Sequence, residues 1–270
     1  MADINTLIDE AQLMKQNKAD LVATLNEIGF KSVTTDTPLS SIAKYMQWAG
    51  GLLDIRLATF SKSTKQHRYW THEEWTAQSA QTRSYYIQMG LVIRAERQEF
   101  IIAKDNQTTE SGSVTMQWAP TSSNDVKGLT NFYGNSKLLE DIDGEANTDL
   151  IIAAIDANGI DYPAARRARE YFCCSLADGG VEDPTKWSLP AIGQLWLLYK
   201  YWYQIQAALA QFGMPALSSD WYWSSTECSS ANAWFVKMYS GLVNSYNKDN
   251  HGRVRPVAPV AAECASVGAI

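Results

Sequence analysis

Apolar residues recur along positions 3–30 at spacings of three and four: Ile4, Leu7, Ala11, Met14, Leu21, Leu25 and Ile28, with Lys18 the single polar intruder. That period predicts one amphipathic helix, with Asp3 as N-cap and Gly29 as its stop. Heptads of this kind serve either a short coiled coil or a helix packed on its own domain. A second helix is expected from Ser40 to about Trp48, after Pro38. Gly50-Gly51 and the polar run Ser61 to Gln66 read as hinges, which places a domain boundary near 60. From 67 the pattern changes. Thr71-His72-Glu73-Glu74 carries a helix-capping signal, and Tyr86 to Arg94 and Gln98 to Lys104 read as a hairpin about Ala95-Glu96-Arg97. Residues 105–147 are polar and loop-like. Thr148 is placed to cap a helix through Ala157, and Pro163 to open another over Ala164 to Tyr171. Gly179-Gly180 and Pro184 mark a loop, and Pro190 opens a long apolar helix from Ala191 to about Phe212. Short strands follow from Tyr222 to Val257, and the tail after Pro259 is expected to fray. The fold class is α+β: a helical module at 1–60, then a larger domain at 67–260 with a β-rich end and no internal repeat.

The formal charge of −6 and the lack of a basic cluster longer than Arg166-Arg167-Ala168-Arg169 argue against a nucleic-acid partner. The longest apolar segment, Leu195 to Leu209, is interrupted by Lys200, Gln204 and Gln206, so no membrane span is expected. The first residues show no signal-peptide pattern. Cys173, Cys174, Cys228 and Cys264 form no CxxC pair and read as buried thiols. His67, His72 and His251 lack metal spacing. Asp141-Ile142-Asp143-Gly144-Glu145 begins like a calcium loop but lacks the closing glutamate, Ile152 standing there, and reads as an acidic turn before a helix. No metal, cofactor or catalytic residue is expected, and no phosphate loop or nucleophile–base set is present. Trp196, Tyr199, Tyr201, Trp202 and Tyr203 read either as a sugar platform or as core; their helical spacing with Leu195, Leu198, Ile205 and Leu209 favours core.

The richest stretch is 221–257. Fixed words (Trp223-Ser224-Ser225-Thr226-Glu227, Ala233-Trp234, Gly241, Lys248 and Val254-Arg255-Pro256-Val257) alternate with a permissive menu of Asn, Ser, Tyr, Asp, His and Gly. Together with Trp187-Ser188-Leu189-Pro190 and Leu195-Trp196-Leu197-Leu198-Tyr199, this order resembles the C-type lectin-like fold of the branch shared with formylglycine-generating enzymes. It is most similar to the variable proteins of diversity-generating retroelements, including phage receptor-binding proteins, over roughly 67–260. Residues 1–60 resemble, more weakly, helical modules of phage tail proteins.

The resemblance implies a non-enzymatic ligand-binding protein whose surface is diversified by adenine-directed errors at AAY codons. Changes at the first two bases of such codons cannot reach Lys, Met, Trp, Gln or Glu, so Lys237, Met238 and Lys248 count as fixed. The implied variable, ligand-contacting positions within 222–253 are Tyr222, Cys228, Ser229, Ser230, Asn232, Phe235, Tyr239, Ser240, Leu242, Asn244, Ser245, Tyr246, Asn247, Asp249, Asn250, His251, Gly252 and Arg253. Trp223, Trp234 and Val257 would form the core beneath them. Ser224, Ser225, Thr226 and Glu227 would hold loop backbone, with Arg255 pairing to Glu227. The implied partners are a bacterial surface protein or glycan and phage virion or tail components, with a homo-oligomer such as a trimer through 3–30. The implied location is a phage tail or the cell exterior. An invariant carbohydrate-binding protein or surface adhesin of the same fold is the alternative, and a formylglycine-type enzyme a weaker one.

Overall fold

The computed structural model describes residues 4–27, 30, 33–37, 42, 52–120, 125–134, 136–174, 181, 183 and 185–261. Helix α1 spans Ile4–Glu27. Its later turns carry the apolar contacts: Val22 and Leu25 are buried with Phe30, Val33 and Ile42, whereas Met14, expected on the same stripe, is 63% exposed. The second helix expected at 40–48 lies largely outside the described residues, as does Cys264.

A five-stranded antiparallel sheet comes next, in the order β10-β4-β3-β1-β2. Its strands are β1 (Asp54–Ser61), β2 (His67–Trp70), β3 (Tyr86–Ala95), β4 (Gln98–Ala103) and, from the far end of the chain, β10 (Val257–Ala258). The sheet therefore begins at Asp54, inside the segment assigned to the N-terminal module, and the run 61–66 is the turn of the β1–β2 hairpin rather than a linker. Two short helices, α2 (His72–Thr76) and α3 (Ala80–Ser84), connect β2 to β3, and Thr71 closes the expected capping box with Glu74.

The expected β3–β4 hairpin is present. It turns at Glu96 and Arg97, both with positive φ (50° and 67°). Such a two-residue turn matches the strand twist, but two non-glycine residues in it are costly. Glu96 is held there by Lys200 and by the Tyr201 hydroxyl, which donates to it at 2.7 Å.

Helix α4 spans Gly144–Asn158 and α5 Pro163–Arg169. Asp143, not Thr148, caps α4: its Oδ1 accepts from the Ala146 amide at 3.0 Å. Thr148 lies inside the helix and donates its hydroxyl to Gly144 O. The Thr148 hydroxyl oxygen in turn accepts from the Leu189 amide, which ties the Trp187–Pro190 segment to the helix. The long helix expected at 191–212 is two, α6 (Ile192–Lys200) and α7 (Trp202–Gln211). Tyr201 leaves the helical conformation between them, with its hydroxyl engaged on Glu96.

Leu195, Leu198, Ile205 and Leu209 pack against Leu57, Leu91, Ile93 and Ile102, covering one face of the large sheet. The other face buries Phe60, Val92 and Ile101 with Tyr171, Cys173 and Trp187. Cys173, Cys174 and Cys228 are buried. The fold is thus α+β with an N-terminal helix, and among the described residues no helix is long and apolar enough to cross a membrane.

Candidate functional site

The permissive stretch folds as a second, three-stranded antiparallel sheet in the order β6-β7-β8: β6 Trp221–Glu227, β7 Asn232–Lys237 and β8 Leu242–Asn247. Successive residues of a strand face opposite ways, and register partners share a face. Tyr222, Val236 and Val243 are register partners on the face that packs onto α6 and α7. Trp223, Phe235 and Asn244 share the other face. Near β6 that second face is covered: Trp223 and Phe235 join a core with Trp118, Tyr162 and Val254. Towards β8 the cover ends, and residues 242, 244 and 246 are exposed.

The cover is stitched from distant segments. The Trp223 indole donates to Met116 O at 3.0 Å and the Trp118 indole to Ser224 O at 2.8 Å, so two tryptophans bond each other's strands. Strand β5 (Met116–Gln117) pairs with β9 (His251–Gly252), which fastens the end of the permissive segment to the same support. Ser224 donates to Trp234 O, and Thr226 donates to Asp141 Oδ2 at 2.6 Å while accepting from the Ile192 amide. Asp141 also accepts from Asn147, and burial raises its pKa. The acidic turn before α4 is thus a brace for β6.

At the centre lies a buried ion pair that differs from the expected one. Glu227 pairs with Lys248, both fully buried. Arg255 instead bonds Lys104 O at 2.7 Å and the Asn106 side chain at 3.3 Å. Sequence composition gives the charges, but only the fold shows that Lys248, the residue after β8, meets Glu227 at the end of β6. The Lys248 ammonium lies 4.7 Å from the centre of the Trp118 ring. Its backbone amide donates to Ala231 O, and its carbonyl accepts from Trp118 and Ala119. Burial raises the Glu227 pKa to about 7, against the lowering effect of Lys248, and burial likewise lowers that of Lys248.

Around this frame the eighteen expected contact positions divide. Ser230, Tyr239, Ser240, Leu242, Asn244, Tyr246, Asn247, Asp249 and His251 are exposed. Ser229, Asn232, Ser245, Asn250 and Arg253 are half-buried. Four lie below the surface instead. Tyr222 is fully buried, its hydroxyl accepting from the Ser218 amide and donating to Asn106. Phe235 is packed among Trp221, Trp223 and Tyr246. Cys228 is buried, and its amide bonds Asn232 O in the β6–β7 turn. Gly252 faces the Trp223 ring, where an added Cβ would lie 2.9 Å from the indole.

Two surface residues outside the expected set belong to the face. The Trp221 ring lies 5.5 Å from that of Tyr246, and the Lys237 ammonium 5.2 Å from that of Trp221. Alternation was the available signal, since Trp221 must point away from the side that buries Tyr222. The face is therefore an aromatic strip, Trp221 and Tyr246 over the buried Phe235, bordered by Lys237, Leu242, Asn244 and the Arg253–Asp220 ion pair. It offers ring surfaces, amides, the Lys237 ammonium and one ion pair.

The sequence model of the Lcl C-terminal domain matches residues 104–258, more than half of the chain. Comparison with curated proteins returned no match. Among solved structures, a fimbrial protein from Bacteroides ovatus is similar, with 17% identity and a TM-score of 0.46 over 60% of this chain. The match spans 36% of that protein's length.

Proposed function

Since the chain belongs to the Lcl C-terminal domain family, we propose that it is a non-enzymatic adhesin that binds a surface molecule of a bacterial cell through the β6–β8 face. In this reading the domain from Asp54 to about residue 260 is C-type lectin-like, residues 222–253 are diversified by a retroelement, and the protein is part of a phage or prophage tail fibre. One observation carries it. Nine of the expected positions cluster as exposed side chains over a frame whose own residues, Trp223, Thr226, Glu227, Lys248 and Arg255, are buried and bonded. Side chains at such a face change at little cost to folding, because surface substitutions are usually within ~0.5 kcal/mol. Tyr and Asn on the face are the residues that adaptable binding surfaces favour. Helix α1 attaches the domain to a larger assembly. Removing residues 1–30 should then abolish assembly, measured as mass in solution, without unfolding the remainder.

The test of diversification is on DNA. A near-copy of the gene's 3′ end beside a reverse transcriptase, differing at adenines over the nine exposed codons, is the expected result. Differences concentrated instead at Tyr222, Cys228, Phe235 and Gly252 would overturn the assignment of the face. Absence of any copy would replace it with an invariant binding protein.

A further inference from the structure

The aromatic residues of α6 and α7 are only partly core. Leu195, Leu198, Ile205 and Leu209 are buried, as their spacing implies. Trp196, Tyr199 and Trp202 are half-buried, and Tyr203 is 84% exposed. With Tyr239 of the β7–β8 turn, itself 61% exposed, these four rings line a concavity of about 610 Å³, within the range of ligand sites. Large rings held open to solvent around a concavity call for an occupant.

The rings are pre-set. Trp196 and Tyr199, one helical turn apart, have centres 5.4 Å apart with planes 32° from parallel, and so form one broad surface. The β7–β8 turn lies against Tyr199 at Gly241. There φ is +68°, and a Cβ would fall 2.1 Å from the Tyr199 ring. Only glycine permits that approach and that conformation together.

We propose that this concavity binds an uncharged pyranose unit of a glycan. Its C–H face would stack on Trp196 and Tyr199, and its hydroxyls would meet the polar edges around them. The lining carries the argument. Met238 is its one side chain without a strong polar group, and Met238 is 1% exposed. What remains are rings that each bear an N–H or O–H, together with Ser219 and Lys200, so the wall is apolar in face and polar in rim, like a sugar ring. A lipid or aliphatic peptide would leave those polar edges unpaired. An acidic sugar would want an uncommitted cation, but the Lys200 ammonium is paired with Glu96 and that of Lys237 lies near the Trp221 and Tyr239 rings. The pocket precedes residues 222–253 except at Met238 and Tyr239. It is therefore a fixed subsite beside the β6–β8 face, and it stands whether or not that face is diversified.

The test is a titration of the full chain with methyl glycosides of glucose, galactose, mannose and N-acetylglucosamine, and with methyl glucuronide as the charged control. The tryptophan indole N–H resonances are followed by NMR. At least one neutral glycoside should shift the Trp196 and Trp202 signals saturably, with a Kd on the order of millimolar. Tyr203→Ala, at an exposed position that carries no fold, should weaken that binding about tenfold. Tyr246→Ala, on the β6–β8 face, should leave it unchanged. No shift up to ~50 mM of any neutral glycoside, an effect strength corresponding to less than ~2 kcal/mol, would overturn the proposal. So would a response to the glucuronide alone, or equal binding by Tyr203→Ala. Indole signals that broaden with protein concentration before sugar is added would mark the pocket as a contact between copies, which also overturns it.

Discussion

Replacing Lys248 by Met removes one charge of a fully buried pair and keeps the stem against Trp118. Breaking a buried pair from one side costs about 3–5 kcal/mol. The pH dependence refines that figure. Glu227 has a folded pKa raised from its ordinary 4.5 to about 7, so its contribution is full below 4.5 and is lost as pH rises through about 7. In the wild type that loss then levels off, because the ionised carboxylate is met by Lys248. In Lys248→Met the partner's hydrogen bond and charge, both of which lower the Glu227 pKa, are gone. The carboxyl stays protonated in the folded state to higher pH, and stability continues to fall by about 1.4 kcal/mol per pH unit. Holding that proton at pH 8 costs roughly 5 kcal/mol, against roughly 2 at pH 6. Urea unfolding from pH 6 to 9, followed by tryptophan fluorescence, should show the Lys248→Met deficit growing as pH rises above about 7. The double variant Glu227→Gln/Lys248→Met should regain most of the loss at pH 8, since no buried charge is left. A deficit in Lys248→Met that is constant with pH, or below ~1 kcal/mol at pH 8, would refute a buried ionised pair.

Substitutions on the open face should separate binding from folding. Asn244→Asp and Tyr246→Ser should each shift stability by less than ~0.5 kcal/mol in urea unfolding, while changing which cells the protein binds in a pull-down. Gly252→Tyr should instead lose about 1–3 kcal/mol by the same measure, because its Cβ meets the Trp223 indole in a packed site; an unchanged midpoint would show that residues 251–253 can move off the ring.

Where period and local chemistry agree, the chain is readable. The β3–β4 hairpin follows from apolar strands about a short break, and the Thr71 capping box from four residues. The start at Asp54 was hidden because Asp54–Ser61 is flanked by Gly50-Gly51 and a polar run, and a hairpin turn reads like a linker when its partner strand is only four residues long. The α6–α7 break was hidden for another reason: Tyr201 leaves the helix for a contact with Glu96, distant in sequence. At the site, codon reachability says what can change and not where it points. It admitted Tyr222, Phe235, Cys228 and Gly252, all buried. Alternation along 242–247 does carry direction, since Val243 packs inward between exposed Leu242 and Asn244. The Glu227 partner was not readable, because Lys248 and Arg255 are equally plausible by charge and only the tertiary fold chooses between them.

Glu227 and Lys248 are 21 residues apart in sequence and joined at their side chains, and β10 then pins the chain to β4 and to Ser188. The segment between them is clamped at both ends. One inserted residue would slip β8 against β7 and turn Leu242, Asn244 and Tyr246 towards the helices, because strand side chains alternate with a period of two. The segment therefore tolerates exchange of side chains but not a change in residue count. A binding loop can lengthen to reach into a cleft; this surface cannot, and the recesses it can enter on a partner are those one side chain can fill.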